Sequence, residues 1–191
     1  VFGAGEVYEQ TVNALKSDAN PTRRAYAAYA LGEFLVTPGI QACADALKSD
    51  QEPIVRAAAA SALGRLNDDG NGALAVGVGD PDSRVKLASL KAIGRLNKFT
   101  DVSALVKALG DGDANVRKNA VQGLEQLMAK ESAAAVMAVA KNDPDATVRS
   151  SAAHALGVFH DPSARPILEG LVASDSSTFV RDQAAIALRR L

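Results

Sequence analysis

The stretch Pro53-Ile-Val-Arg-Ala-Ala-Ala-Ala-Ser-Ala-Leu-Gly-Arg-Leu66 decides the fold, because the chain repeats it. Five echoes run over Arg24–Phe34, Lys86–Leu96, Arg117–Leu127, Arg149–Phe159 and Arg181–Leu191. Measured on the basic residue that opens each copy (Arg24, Arg56, Lys86, Arg117, Arg149, Arg181), the steps are 32, 30, 31, 32 and 32 residues. A fixed period of this size marks stacked units, none of which buries a core alone. Six residues before each basic residue stands an aspartate: Asp18, Asp50, Asp80, Asp111, Asp143 and Asp175. Such a carboxylate can accept backbone N–H groups where a helix starts. It can also pair with an arginine of its own or a neighbouring repeat, which would form a ladder. A pair that recurs six times reads as structure rather than chemistry.

Helical spacing sorts the other positions. Three, seven and ten residues after the basic residue come Ala59, Leu63 and Leu66 in the second copy, and Ala152, Leu156 and Phe159 in the fifth. The residue before it is Val55, Val85, Val116, Val148 or Val180, with Arg23 the exception. These rows predict one apolar stripe whose many alanines let helices approach closely. Eight residues after the basic residue come Gly32, Gly64, Gly94 and Gly157, although mid-helix glycine costs about 1 kcal/mol against alanine. Close contact with the next repeat is the expected compensation. Glu125 and Arg189 break this row, and Glu125 predicts a looser or shifted junction.

The pattern Asp-x-x-x-x-Val-Arg-x-x-Ala-x-x-Ala-Leu-Gly resembles the short bacterial HEAT repeat of phycobilin lyase subunits, over essentially the whole chain. The resemblance implies an all-α, right-handed solenoid of six two-helix repeats, with the second helices lining the concave side. The repeats fall at about 1–36, 37–67, 68–97, 98–129, 130–160 and 161–191, in a single array over 1–191. The resemblance is specific for fold and not for function, since this repeat serves many unrelated adaptors and scaffolds.

Composition narrows the function. A net charge of −1 argues against a general nucleic-acid binder, without excluding a local basic patch. Although 48% of residues are hydrophobic, no apolar run approaches the ~20 residues of a membrane span. A soluble, cytoplasmic protein is expected. The start at Val1, with no methionine or signal-like stretch, reads as a processed or truncated end. The last helix carries Leu188 and Leu191 on the core stripe, so neither end looks capped and the natural array is expected to continue. Cys43, the single cysteine, falls in a first-helix apolar pattern and reads as a buried thiol.

In chain order, the first helices are expected near Glu6–Lys16 (core Val7, Val12, Leu15), Ile40–Leu47, Ala73–Val78, Val102–Leu109, Ser132–Lys141 and Pro162–Val172. The second helices are expected at Thr22–Leu35, Pro53–Leu66, Asp82–Leu96, Ala114–Met128, Ala146–Phe159 and Thr178–Leu191. Asp68-Asp69-Gly70-Asn71-Gly72 is the most pronounced turn, and the glycine-bearing helix after it the weakest.

Opposite the core stripe lie the positions two, five and nine after the basic residue. The middle row reads Tyr29, Ser61, Lys91, Gln122, His154, Ile186. Beside it run Tyr26, Ala58, Ala88, Asn119, Ser151, Gln183, and then Glu33, Arg65, Arg95, Gln126, Val158, Arg190. These rows vary while the core rows repeat, as a binding face on a constant frame should. Tyr26, Tyr29 and Glu33 share one face, and tyrosine is enriched in binding hot spots. Arg65, Lys91 and Arg95, with Lys118, form a basic middle suited to acidic side chains, a carboxylate-bearing cofactor or phosphate.

Catalysis has little to stand on. The metal-dependent hydroxylases of this repeat type carry repeated His-Glu pairs, whereas His154 and His160 are followed by Ala155 and Asp161. No metal site, catalytic residue or cofactor is expected. The reading is a non-catalytic protein-binding scaffold using the concave face, through Tyr26, Tyr29, Glu33, Arg65, Lys91, Arg95, Lys118, Asn119, Gln122 and His154. The alternative is a phycobilin-lyase-like subunit that grips a tetrapyrrole or its acceptor protein, with Arg65, Lys91 and Arg95 on the propionates. Nucleic-acid binding through the basic patch ranks third.

Overall fold

The computed structural model describes residues 4–191, and among them the chain forms twelve α-helices and no strand. It divides into two compact units, 1–101 and 102–191, each of three two-helix repeats. The first unit holds α1 (Ala4–Ser17), α2 (Pro21–Glu33), α3 (Ile40–Ser49), α4 (Pro53–Leu66), α5 (Ala73–Val78) and α6 (Ser83–Ile93). The second holds α7 (Val102–Ala108), α8 (Ala114–Gln126), α9 (Ala133–Asn142), α10 (Ala146–Phe159), α11 (Arg165–Ser174) and α12 (Thr178–Leu188). The protein is an all-α solenoid of six repeats, as its period requires.

Within each unit the second helices pack on one another far more extensively than the first helices do. The glycine row explains this. A Cβ built on Gly32 would lie 2.6 Å from Cα of Ala62, and one on Gly64 2.7 Å from Cα of Ala92. Gly157 stands in the same relation to Ala187, at 2.7 Å. Only a bare Cα lets the two backbones come this close, which compensates the helix cost of glycine. At Glu125 the row is broken, and α8 packs less extensively on α10 than the neighbouring second helices do elsewhere.

The valine row before the basic residue is fully buried, as are Leu31, Leu63, Ile93, Leu124 and Leu156. A further buried row lies four after the basic residue (Ala28, Ala60, Leu90, Val121, Ala153), which widens the apolar stripe beyond the expected one. The position ten after is uneven: Phe159 is buried, but Leu66 and Leu191 are half-buried, as is Leu188. In α1, Leu15 is buried and Val12 half-buried, whereas Val7 is exposed. This corrects the expected core. As an end helix, α1 packs on α2 and only lightly on α3, so Val7 near its start lies beyond the covered stretch.

The aspartate row takes the ladder form. Arg24 donates two hydrogen bonds to the Asp50 carboxylate (2.8 and 2.9 Å), and Arg56 does the same to Asp80 (2.7 and 3.0 Å). In the second unit Arg117 grips Asp143 (2.7 and 2.9 Å) and Arg149 grips Asp175 (2.8 and 2.9 Å). Each arginine also donates to the backbone carbonyl of its own repeat's aspartate, at Asp18, Asp50, Asp111 and Asp143. The aspartate is not itself the helix cap. It accepts the N–H of the residue two further on, as Asp50 does from Glu52 and Asp143 from Asp145. Where that next residue is Asn20, Asp82, Asp113, Asp145 or Ser177, its side chain caps the helix.

Candidate functional site

With the core stripe and the ladder turned inward, each second helix leaves one face open. In the first unit this face carries an aromatic patch. Tyr26 is 70% exposed and Tyr29 49%. The Arg65 guanidinium lies over the Tyr29 ring, 4.8 Å from its centroid, and pairs with the Glu33 carboxylate. Three of the candidate residues thus form one assembly across α2 and α4. A cation over an aromatic face attracts it by about 0.5–1 kcal/mol at an exposed site, and the pair with Glu33 ties that cation to α2.

This assembly changes the reading of the basic middle. Arg65 is not an open cation, because Glu33 neutralises it. Lys91, on α6, and Arg95, two residues past its end, are exposed and form no ion pair among the described residues. Of the expected basic middle, these two are the cations of this unit left unpaired among the described residues. Lys118 belongs to the second unit.

There the open face forms a cleft of about 480 Å³ between α8, α10 and α12. Lys118, Gln122 and Gln126 line it from α8, Thr147, Ser151 and His154 from α10, and Phe179 and Gln183 from α12. Its wall holds a three-member chain. His154 Nδ1 lies 3.1 Å from Glu125 Oε2, and Arg190 reaches His154 Nε2 at 3.4 Å. A guanidinium can only donate, so Nε2 is the bare acceptor and Nδ1–H is the donor to Glu125. The carboxylate that breaks the glycine row is therefore engaged by the next repeat's histidine. Asn119, another candidate, donates its side-chain N–H back to the Asn115 carbonyl at 2.8 Å and is half-buried, so it offers the cleft little.

Phe179 was not among the candidates. It is 55% exposed and lies two residues before Arg181, a row that also contains Thr22, Ile54, Arg84, Asn115 and Thr147. That row was legible: it lies four residues ahead of the position two after, on the same helical face. Ile54 is exposed likewise.

Two further clefts, of about 560 and 660 Å³, sit against the ladder. Asp18, Arg24 and Asp50 line one, and Asp143, Arg149 and Asp175 the other. Each contains one of the repeated arginine–aspartate pairs, so its principal charges are taken up by structure. Cys43 is fully buried, and burial pushes its thiol up to about 12, far from a nucleophile's range. Among the described residues no group of three or more His, Cys, Asp or Glu is placed to hold a metal, and no helix is long and apolar enough to cross a membrane.

The family model for HEAT repeats matches residues 8–92, 40–111 and 102–189. No curated protein sequence matches the chain. Among solved structures it is similar to the complex of CpcE and CpcF of phycocyanin lyase from Nostoc sp., at 22% identity over 92% of this chain and 74% of that one, with a TM-score of 0.69. It is similar to an archaeal HEAT-like repeats protein from Thermococcus onnurineus, at 16% identity over 97% and 87% of the two chains, with a TM-score of 0.66. Computationally designed armadillo repeat proteins for modular peptide recognition match at 16% identity, 95% and 98% coverage and a TM-score of 0.69. At these identities the likeness is one of fold. The sequence matches span nearly the whole length, and the chain belongs to the HEAT-repeat family.

Proposed function

We propose that the protein is a non-catalytic scaffold that binds another protein on the open faces of its second helices. The observation that carries this reading is the aromatic patch of the first unit. Tyr26 and Tyr29 present large aromatic surface to solvent, and Arg65, paired with Glu33, packs on the Tyr29 ring. A rigid aromatic surface loses little entropy on binding, which is why such residues dominate interface energetics. Designed repeat proteins of the same fold made for modular peptide recognition support the reading by analogy of architecture.

The test compares partner retention from a source lysate by wild type, by Tyr26→Ser with Tyr29→Ser, and by Lys91→Glu with Arg95→Glu. The tyrosine pair is expected to lower retention about tenfold or more, as hot-spot truncation does. The lysine–arginine pair is expected to weaken it in a salt-dependent way. All four side chains are exposed, so melting temperatures should stay within a few degrees. Full retention by both variants contradicts the reading. A coloured small molecule in the eluate would replace it with tetrapyrrole binding, and nucleic acid with the third reading.

A further inference from the structure

We infer that the second unit's cleft takes an extended polypeptide segment bearing one acidic side chain toward one end and one apolar side chain toward the other. The inference rests on the scaffold reading and names the partner's chemistry at a different site from the tyrosine patch.

Charge complementarity fixes the acidic end. The cleft lining contains two formally charged residues, Lys118 and Glu125. Glu125 is held by His154, whereas Lys118 forms no ion pair among the described residues. The Glu125 carboxylate is answered through His154 by the Arg190 guanidinium, so the charge of the lining left without a partner among the described residues is the Lys118 cation, on α8. At the opposite wall, on α12, Phe179 offers its exposed ring. The Gln122 and Gln183 carboxamides of the lining both donate and accept, as a peptide main chain requires.

Distance sets the register. Packed helices lie roughly 8–10 Å apart, so α8 and α12, with α10 between them, span at most ~16–20 Å. An extended chain rises about 3.3 Å per residue. The acidic and apolar side chains should then stand about four to six residues apart. A nucleic acid fits poorly, because its run of phosphates calls for several open cations and the cleft supplies Lys118 alone, with Arg190 turned to His154.

The test pans a displayed library of random peptides, about twelve residues long to exceed that span, on the whole protein. Synthetic versions of the recovered peptides are then titrated by fluorescence anisotropy. Recovered peptides should share an acidic residue about four to six positions from an aliphatic or aromatic one. Lys118→Glu should weaken them about tenfold or more, as loss and reversal of a charge-assisted contact does. Exchanging the peptide's acidic residue for lysine should restore binding to that variant, which excludes misfolding as the cause. Tyr26→Ser with Tyr29→Ser should leave the affinity unchanged. Peptides without the acidic residue, equal binding to Lys118→Glu, or no retained peptide would each overturn the inference. Loss confined to the tyrosine variant would overturn it while leaving the scaffold reading standing. A single-stranded oligonucleotide that displaces the peptides, with a salt slope of several charges, would also overturn it by assigning the cleft to nucleic acid.

Discussion

Ser89 stands in the row three after the basic residue, where the other five repeats carry alanine. It is fully enclosed, and its Oγ has no hydrogen-bond partner among the described residues. Gly77 of α5 comes so close that a Cβ there would collide with this hydroxyl. An unsatisfied buried polar atom costs about 1–3 kcal/mol, so Ser89→Ala is expected to raise stability by ~1 kcal/mol in a urea titration. A drop would mean that the hydroxyl has a partner after all. Gly64→Ala should go the other way. Alanine adds roughly 1 kcal/mol of helix propensity, but its Cβ would press on the Ala92 backbone, which cannot yield as a side chain can. Overpacking costs about 1–3 kcal/mol and wins, so a net loss is expected. The glycine row was legible from spacing alone. Ser89's isolation was not, because alanine and serine look interchangeable until the facing glycine is known. Nor was the Arg65–Glu33 pair, since each residue's row was read down its own helix and not across to the next.

Between elements, the arginine–aspartate ladder staples successive repeats together within each unit. Arg117 with Asp143 is the most enclosed rung, with side-chain exposures of 11% and 4%. Removing one partner of a buried pair strands the other, at a cost of about 3–5 kcal/mol, which is the loss expected for Arg117→Met. Adding Asp143→Leu should recover most of it, because two apolar side chains need no partner. A double-mutant cycle by denaturant unfolding reads both effects, and additive losses would contradict the coupling. Acid should weaken the rungs at Asp50 and Asp175. Arg149's hydrogen bonds hold the Asp175 carboxyl below its ordinary range. Burial pushes the Asp50 carboxyl up, but Arg24 and the Glu52 N–H outweigh it and the net shift is downward. Groups whose folded pKa is depressed contribute stability above the unfolded value of about 3.9 and lose it as pH falls through the folded one. Melting temperature should therefore stay level from about pH 7 to 5 on this account and drop below about pH 4. The aspartate row itself was plain in the sequence, but its partners were not. Asp143 is six residues from Arg149 and 26 from Arg117, and the rung forms over the longer gap because stacking brings the successive repeats together.

Across the whole chain, six copies of one frame carry rows that vary from copy to copy, and the scaffold reading assigns recognition to those rows. The period established the repeats. The sequence left open which variable residues would face solvent free of intramolecular ties: Tyr26 does, whereas Asn119 turns back on its own helix and Arg65 is tied to Glu33. Both outcomes depend on where a side chain finds its nearest partner, which helical spacing does not encode. The most direct measurement is site-specific photo-crosslinking. A photoreactive aromatic residue is placed at Tyr29, Ser61 or Gln183 on the second helices, and at exposed Gln41 or Lys141 on the first helices. The account predicts protein adducts from the second-helix positions and few from the first-helix ones. Equal yields from Gln41 and Lys141 would contradict it and move recognition to the first helices.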